Sequence, residues 1–133
     1  MGMLMRSRPG HLLPSIESCL VLVREGLVKV AGGENPEADL RHLRAVLLNL
    51  LDLIVGDSAA AAAVDEVFEA ALAYQGEFAH AAKAHSDSAY HFLLRDADRM
   101  ERALADLRTA LQHAKPSARG LQEAQDLGRQ SAP

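Results

Sequence analysis

The chain has 133 residues and a mass of 14.3 kDa, which is the size of one ordinary domain. Ala and Leu supply a third of the residues, whereas the β-branched residues Val, Ile and Thr are scarce, so the composition argues against a β-sheet. The net charge is −4 and the acidic residues are interleaved with Arg, which argues against the clustered basic surface of nucleic-acid-binding proteins. Hydrophobic residues make up 49% of the chain, which is enough to form a buried core.

The termini and the cysteine content predict a cytoplasmic protein that binds no membrane. Residues 1–11 are expected to be a flexible lead-in. They lack the apolar run of a secretory signal peptide. The most apolar run, residues 45–55, contains Asn49 and Asp52 and is about half as long as the roughly 20 residues that span a bilayer. Cys19 is the single cysteine and cannot form an intrachain disulfide, and the excess of Arg over Lys together with abundant Ala is typical of a GC-rich bacterium.

The first two predicted helices have the clearest periodicity. Pro14 suits the first turn of a helix over 14–31, in which apolar residues recur at intervals of three and four, and the glycines at 32–33 end it. The Asn-Pro-Glu sequence at 35–37 predicts the start of a second helix over 36–55. The apolar arc of this second helix covers about 220°, roughly twice the width that one helix of a bundle needs.

Between residues 58 and 115 the chain contains no Pro and one Gly, Gly76. Cap-forming residues at 86–88 predict a turn between a third helix over 58–85 and a fourth over 88–114, with one continuous helix as the alternative. The predicted core face of the third helix comprises Val64, Phe68, Ala71, Gln75, Phe78 and Ala82. That of the fourth comprises Ala89, Phe92, Leu93, Met100, Ala103, Leu104, Leu107 and Leu111.

These elements predict an all-α fold, an up-down four-helix bundle. Connections of about two to four residues force consecutive helices to lie antiparallel. We expect residues 12–115 to form a single helical domain. Residues 116–133 are richer in polar residues and are predicted to be a tail, either disordered or with one short helix near 118–127.

Four titratable residues stand at helical spacings around the predicted turn. Glu77 and His80 are three residues apart, and Asp87 and His91 are four apart. The Glu-x-x-His spacing is used by di-metal carboxylate bundles, but such sites need two copies of the motif and further inward-facing Glu residues. Because the cluster falls opposite the predicted core face, we expect a solvated surface and no metal or other cofactor.

An alternative function follows from His80 and Lys83. A histidine phosphotransfer bundle needs an exposed imidazole as nucleophile and a nearby cation for the phosphoryl oxygens. His80 with Lys83 three residues later satisfies this spacing, whereas the residue after the lysine, Ala84, stands where such bundles are expected to carry Gly.

Two polar residues are predicted to face the core. His85 falls between Ala82 and Ala89 on a continuous helix, and Asp96 falls between Leu93 and Met100. A buried polar group without a hydrogen bond costs a few kcal/mol, so each needs a partner. Candidate partners for Asp96 are Arg24, Arg44, His85 and Arg99.

The sequence therefore favours a non-catalytic helical interaction module, most simply a homodimer, that associates with itself or with a helix of another protein. It contains none of the catalytic motifs based on a glycine-rich loop, a nucleophile elbow or a paired-cysteine or paired-histidine site, so an enzyme is not expected. The surplus apolar residues on the first two helices predict the interface. These residues are Leu22, Val46, Leu48 and Leu53.

Overall fold

A computed structural model describes residues 12–84 and 87–131, with the side chains of residues 12–81 and 91–129. This part of the chain is all-α, as the composition predicts, and has no β-strand. The predicted lead-in over residues 1–11 lies outside it. The described residues form five helices: α1 (Pro14–Gly32), α2 (Pro36–Asp52), α3 (Ser58–Ala84), α4 (Asp87–His113) and α5 (Ala118–Ser131).

The helix ends follow the local sequence signals in most places. Proline occupies the first turn of both α1 and α2, where the missing N–H has no intrahelical acceptor. Gly33 ends α1 in the left-handed conformation, with φ of 70°, and donates its N–H to the carbonyl of Val30. The Oδ1 atom of Asp57 accepts a hydrogen bond of 2.9 Å from the backbone N–H of Ala60 and so caps α3.

Helix α2 ends at Asp52, three residues before the predicted end at Val55. The backbone leaves the helix because residues 53–55 pair with the connection between α4 and α5. Val55 donates its N–H to the carbonyl of Lys115 at 2.7 Å, and Ser117 donates to the carbonyl of Leu53 at 2.9 Å. This short antiparallel bridge ties the two connections together, and a helical periodicity in the sequence cannot reveal it.

Helix α1 is the central helix and packs against each of the other four. The apolar residues that recur at three- and four-residue intervals are buried in both helices; these are Ile16, Leu20, Val23, Leu27 and Val30 in α1 and Leu43, Leu47 and Leu50 in α2. Gly26 of α1 allows α2 to approach closely, since a Cβ atom there would lie 3.1 Å from Cδ1 of Leu43. The fully buried large side chains of the two helices are Val23, Val30, Leu43, Leu47 and Leu50.

Helices α3 and α4 are separate and form the most extensive helix pair, so they are not one continuous rod. Arg99 spans the pair by donating two hydrogen bonds to Glu66, at 2.8 and 2.9 Å. The predicted turn at 86–88 lies partly outside the described residues.

Val64 and Ala71 of the predicted face of α3 are buried, but the centre of the buried face is rotated from the predicted one. Val67, Ala70 and Tyr74 are buried, whereas Phe68 and Phe78 are half-buried at its edge.

In α4 the predicted face is correct from Met100 to Leu111. Phe92, predicted to be in the core, is instead exposed, with the guanidinium of Arg95 4.6 Å from its ring centroid.

Helix α5 docks on α1 through polar contacts and one close backbone approach. The buried hydroxyl of Ser15 donates to the carbonyl of Gly120 at 2.8 Å. Arg119 donates to Asp52 at 3.0 Å and to Asn49 at 2.7 Å on α2. Gly120 packs directly on the backbone of Leu53, where a Cβ atom would lie 2.2 Å from the carbonyl oxygen.

We expect Leu47→Ala to lower the free energy of unfolding by about 2–5 kcal/mol, because it leaves a cavity at a side chain that is 1% exposed. The neighbouring Leu48→Ala is the matched control, since Leu48 is 53% exposed, and we expect a change within about 0.5 kcal/mol. Chemical denaturation of both variants measures the difference. Equal effects would show that the buried face of α2 is misassigned.

We expect Gly120→Ala to destabilise the protein by more than about 1 kcal/mol, because the new methyl group would collide with the Leu53 carbonyl and push α5 away from α1. Gly128→Ala in the same helix meets no atom within 4 Å and should be neutral or stabilising by up to about 1 kcal/mol. Thermal unfolding compares the two variants. An unchanged melting temperature in Gly120→Ala would contradict this docking of α5.

Candidate functional site

An apolar groove with a volume of about 730 Å³ lies between α1 and α4. We call it the α1–α4 groove. Aliphatic side chains form most of its walls, and four charged side chains, Glu17, Arg24, Glu101 and Arg108, stand among them. The aliphatic lining consists of Leu20, Val21, Leu27, Val28 and Ala31 from α1 and Ala97, Met100, Leu104 and Ala105 from α4.

A bidentate ion pair bridges the two walls near the start of α1. Arg108 of α4 contacts Glu17 of α1 through two nitrogen–oxygen pairs, at 2.6 and 2.9 Å. The hydrogen bond to Glu17 raises the pKa of Arg108 above its ordinary value, so the guanidinium is charged at neutral pH. This contact fixes the register of two antiparallel helices.

One heptad beyond this bridge, the walls are no longer joined. Seven residues after Glu17 comes Arg24, and seven residues before Arg108 comes Glu101, so the fixed register brings these two to the same level. They carry opposite charges, yet the ion pairs of the described residues do not include one between them. No described ion pair therefore joins α1 and α4 at this level, and both residues line the groove.

Two exposed valines line the groove beyond the Glu17–Arg108 bridge. Val21 is 56% exposed and Val28 is 66% exposed, and they stand seven residues apart on one face of α1. With Glu17 and Arg24 they follow the four-three-four spacing by which one helix receives the side chains of another. The groove can thus accept an apolar helix face between its walls.

The predicted polar cluster at the other end of the molecule does not form a site among the described side chains. Glu77 is half-buried, and His80 and His91 are exposed. Asp87 and Lys83 lie outside the residues whose side chains are described, so the geometry of the predicted His80–Lys83 pair is untested. Within the described part of the chain, no group of three His, Cys, Asp or Glu residues is placed to hold a metal ion.

Asp96, predicted to be buried and paired, is half-buried. The described hydrogen bonds and ion pairs do not include it. Arg99 pairs with Glu66, and Arg44 lies 5.8 Å from the ring centroid of Phe68. Arg99 is close enough to Asp96 for a favourable charge interaction. His85 lies outside the described residues, and the buried polar side chain that the structure does contain is Ser15.

The four residues predicted to form the interface divide into two groups. Leu22 is 46% exposed and Leu48 is 53% exposed, as an interface with another chain requires. Val46 and Leu53 are instead buried in the core of this chain, which corrects the prediction that they are exposed at an interface. The wide apolar arc of α2 is therefore partly covered by the protein itself.

A smaller cleft of about 320 Å³ lies between α1, α2 and α5 and contains the thiol of Cys19. This thiol donates to the carbonyl of Val46 at 3.6 Å and accepts from the amide of Asn49 at 3.9 Å. Burial raises the pKa of the thiol, which keeps it protonated and unreactive at neutral pH. The cleft thus holds no activated nucleophile among its described residues.

Comparisons with models of protein families, with curated proteins and with solved structures found no match. None of the helices, among the residues that the structure describes, has the length and apolar character needed to cross a membrane.

We expect the thiol of Cys19 to react with a disulfide reagent such as DTNB at least about 100-fold more slowly in the folded protein than in denaturant, because it is buried and protonated. Absorbance stopped-flow at neutral pH measures both rates. A folded-state rate equal to the denatured rate would contradict the packing between α1 and α2.

Proposed function

We propose that this protein is a non-catalytic helical interaction module and that the α1–α4 groove is its binding surface for an amphipathic helix. The observation that carries the proposal is the combination of a 730 Å³ apolar groove with two highly exposed valines on its wall. Contiguous exposed apolar surface of this kind is rare on proteins that act alone and is typical of interaction sites.

The shape and chemistry of the groove define the helix that fits it. Two neighbouring antiparallel helices leave a trough parallel to their axes, and a third helix fills such a trough with side chains at positions i, i+3 or i+4, and i+7. Arg24 and Glu101 stand on opposite walls without an ion-pair partner among the described residues. The bound helix should therefore carry one acidic and one basic side chain beside its apolar stripe.

The lining supports a binding role in preference to catalysis. Its described residues are aliphatic apart from two arginines and two glutamates, and one of each is already paired across the groove. A nucleophile with an adjacent base is not found among them. We propose further that α1–α4 form an up-down bundle to which α5 is added, and that the protein acts in the bacterial cytoplasm.

Site-specific photo-crosslinking tests the proposal. A benzophenone amino acid replaces Val28 in the groove or, as the control, Leu72 on α3, which is 39% exposed and does not line the groove. Each full-length variant is expressed in cells of the source organism, and the crosslinked peptides are identified by mass spectrometry. We expect position 28 to link to an amphipathic helical segment of a protein, either this chain or another.

A second substitution, Val21→Asp, provides the specificity control, because a charge on the groove wall should abolish the link from position 28. It should leave any background labelling at position 72 unchanged. Labelling at position 28 that equals labelling at position 72, or that Val21→Asp does not reduce, would contradict the proposed binding surface.

A further inference from the structure

We propose that the helix in the α1–α4 groove is α1 of a second copy of this chain, so that the protein is a two-fold symmetric dimer. This inference rests on the proposed function and specifies its partner. Helix α1 is both a wall of the groove and the helix that carries the exposed valines, so the same surface can serve as receptor and as ligand. A two-fold interface requires this self-complementarity.

The register of the dimer follows from the spacing of the valines. In the proposed dimer, two antiparallel copies of α1 pack against each other, and the two-fold axis passes between positions 24 and 25. Residues whose numbers sum to 49 then lie opposite each other. Val21 of one copy then meets Val28 of the second copy, and the reverse contact forms at the same time. Both valines leave solvent, and each lies between α1 and α4 of the other copy, where Leu20, Leu27 and Leu104 line the groove.

Charge complementarity supports the same arrangement. Within one copy, Arg24 and Glu101 are level with each other and both line the groove, but the described ion pairs do not join them. The two-fold axis brings Arg24 of the second copy to the same level, within one residue, on the helix that fills the gap. Glu101 of each copy then faces Arg24 of the other, and Glu25 of each copy lies opposite Arg24 of the other because 24 and 25 sum to 49, so each Arg24 has acidic partners across the interface.

The charges of the groove also make this chain a better partner than a strongly charged helix. The four charged residues of the lining are two Glu and two Arg, so the groove is neutral. Outside the Glu17–Arg108 bridge it presents one charge of each sign, so a strongly acidic or basic helix would leave one of them facing a like charge. A second α1 supplies the apolar stripe and the required charge in the required register.

Sedimentation equilibrium of the purified full-length protein tests the dimer. We expect a species of twice the 14.3 kDa chain mass, and we expect Val28→Asp to raise its dissociation constant at least about 100-fold by placing a charge in the apolar interface. Arg24→Glu and Glu101→Arg should each raise the dissociation constant about tenfold or more, since each places like charges opposite each other.

The charge-reversed double variant, with both Arg24→Glu and Glu101→Arg, is the decisive protein to measure because it rebuilds the ion pairs with opposite polarity. It should bind at least about tenfold more tightly than either single variant, without full restoration, because Arg24→Glu also places like charges opposite Glu25 of the other copy. Exposed residues outside the groove provide matched controls, and Arg41→Glu on α2 and Asp65→Arg on α3 should leave the dissociation constant unchanged. Circular dichroism verifies that every variant is folded.

Two results would overturn the inference. One is a monomer of 14.3 kDa at high micromolar concentration. The other is a dimer that neither Val28→Asp nor the charge reversals weaken, since it would use another surface. A monomer that still crosslinks from position 28 to a helix of a different protein would overturn the dimer and support the proposed function. The absence of any specific crosslink from position 28 would overturn both.

Discussion

The whole fold depends on the packing of α1, which packs against the other four helices. Its deepest stripe, which includes Val23 and Val30, lies in the central core, and its Gly26 lets α2 approach closely. Ser15, in its first turn, receives α5. Because α2, α3 and α5 cover much of the surface of α1, α4 contacts α1 less than any of these three helices do. The α1–α4 groove lies at this less extensive contact.

The sequence was most informative where large aliphatic residues alternate with polar ones. The stripes of α1 and α2 could be identified from spacing alone, because Leu and Val at three- and four-residue intervals leave one orientation that buries them all. Helix α3 begins with a run of alanines at 59–63, which differ little in size on any face, and the two phenylalanines at 68 and 78 then dominated the periodicity. Tertiary packing instead buried Val67 and Tyr74 and placed the phenylalanines at the edge.

Helix α5 shows a different limit of sequence patterns. Its docking depends on a serine hydroxyl, an arginine that reaches two residues of α2, and a glycine that fits against a carbonyl oxygen. These contacts involve residues far apart in the chain and leave no periodic signature. The polar composition of residues 116–133 therefore predicted a tail with at most one short helix.

The predicted interface on the first two helices includes residues that are exposed and residues that are buried. Val46 and Leu53 are surplus to a single stripe, yet they are buried because α2 lies inside its own fold and its end is tied to the α4–α5 connection. Val21 and Val28 gave a weaker signal, since they flank the main stripe of α1 and the charged Arg24 lies between them. The helix-binding role proposed for them depends on the register between α1 and α4, which the sequence alone does not give.

That register depends on an ion pair that adds little to stability. The side chains of Arg108 and Glu17 are 43% and 38% exposed, and an ion pair in such an environment contributes about 0–1 kcal/mol. The pair therefore sets which residues of α1 and α4 face each other without holding the helices at a fixed separation along their length. Beyond it, the proposed partner helix, which supplies an apolar stripe and two complementary charges, would stabilise both the complex and the position of α4 against α1.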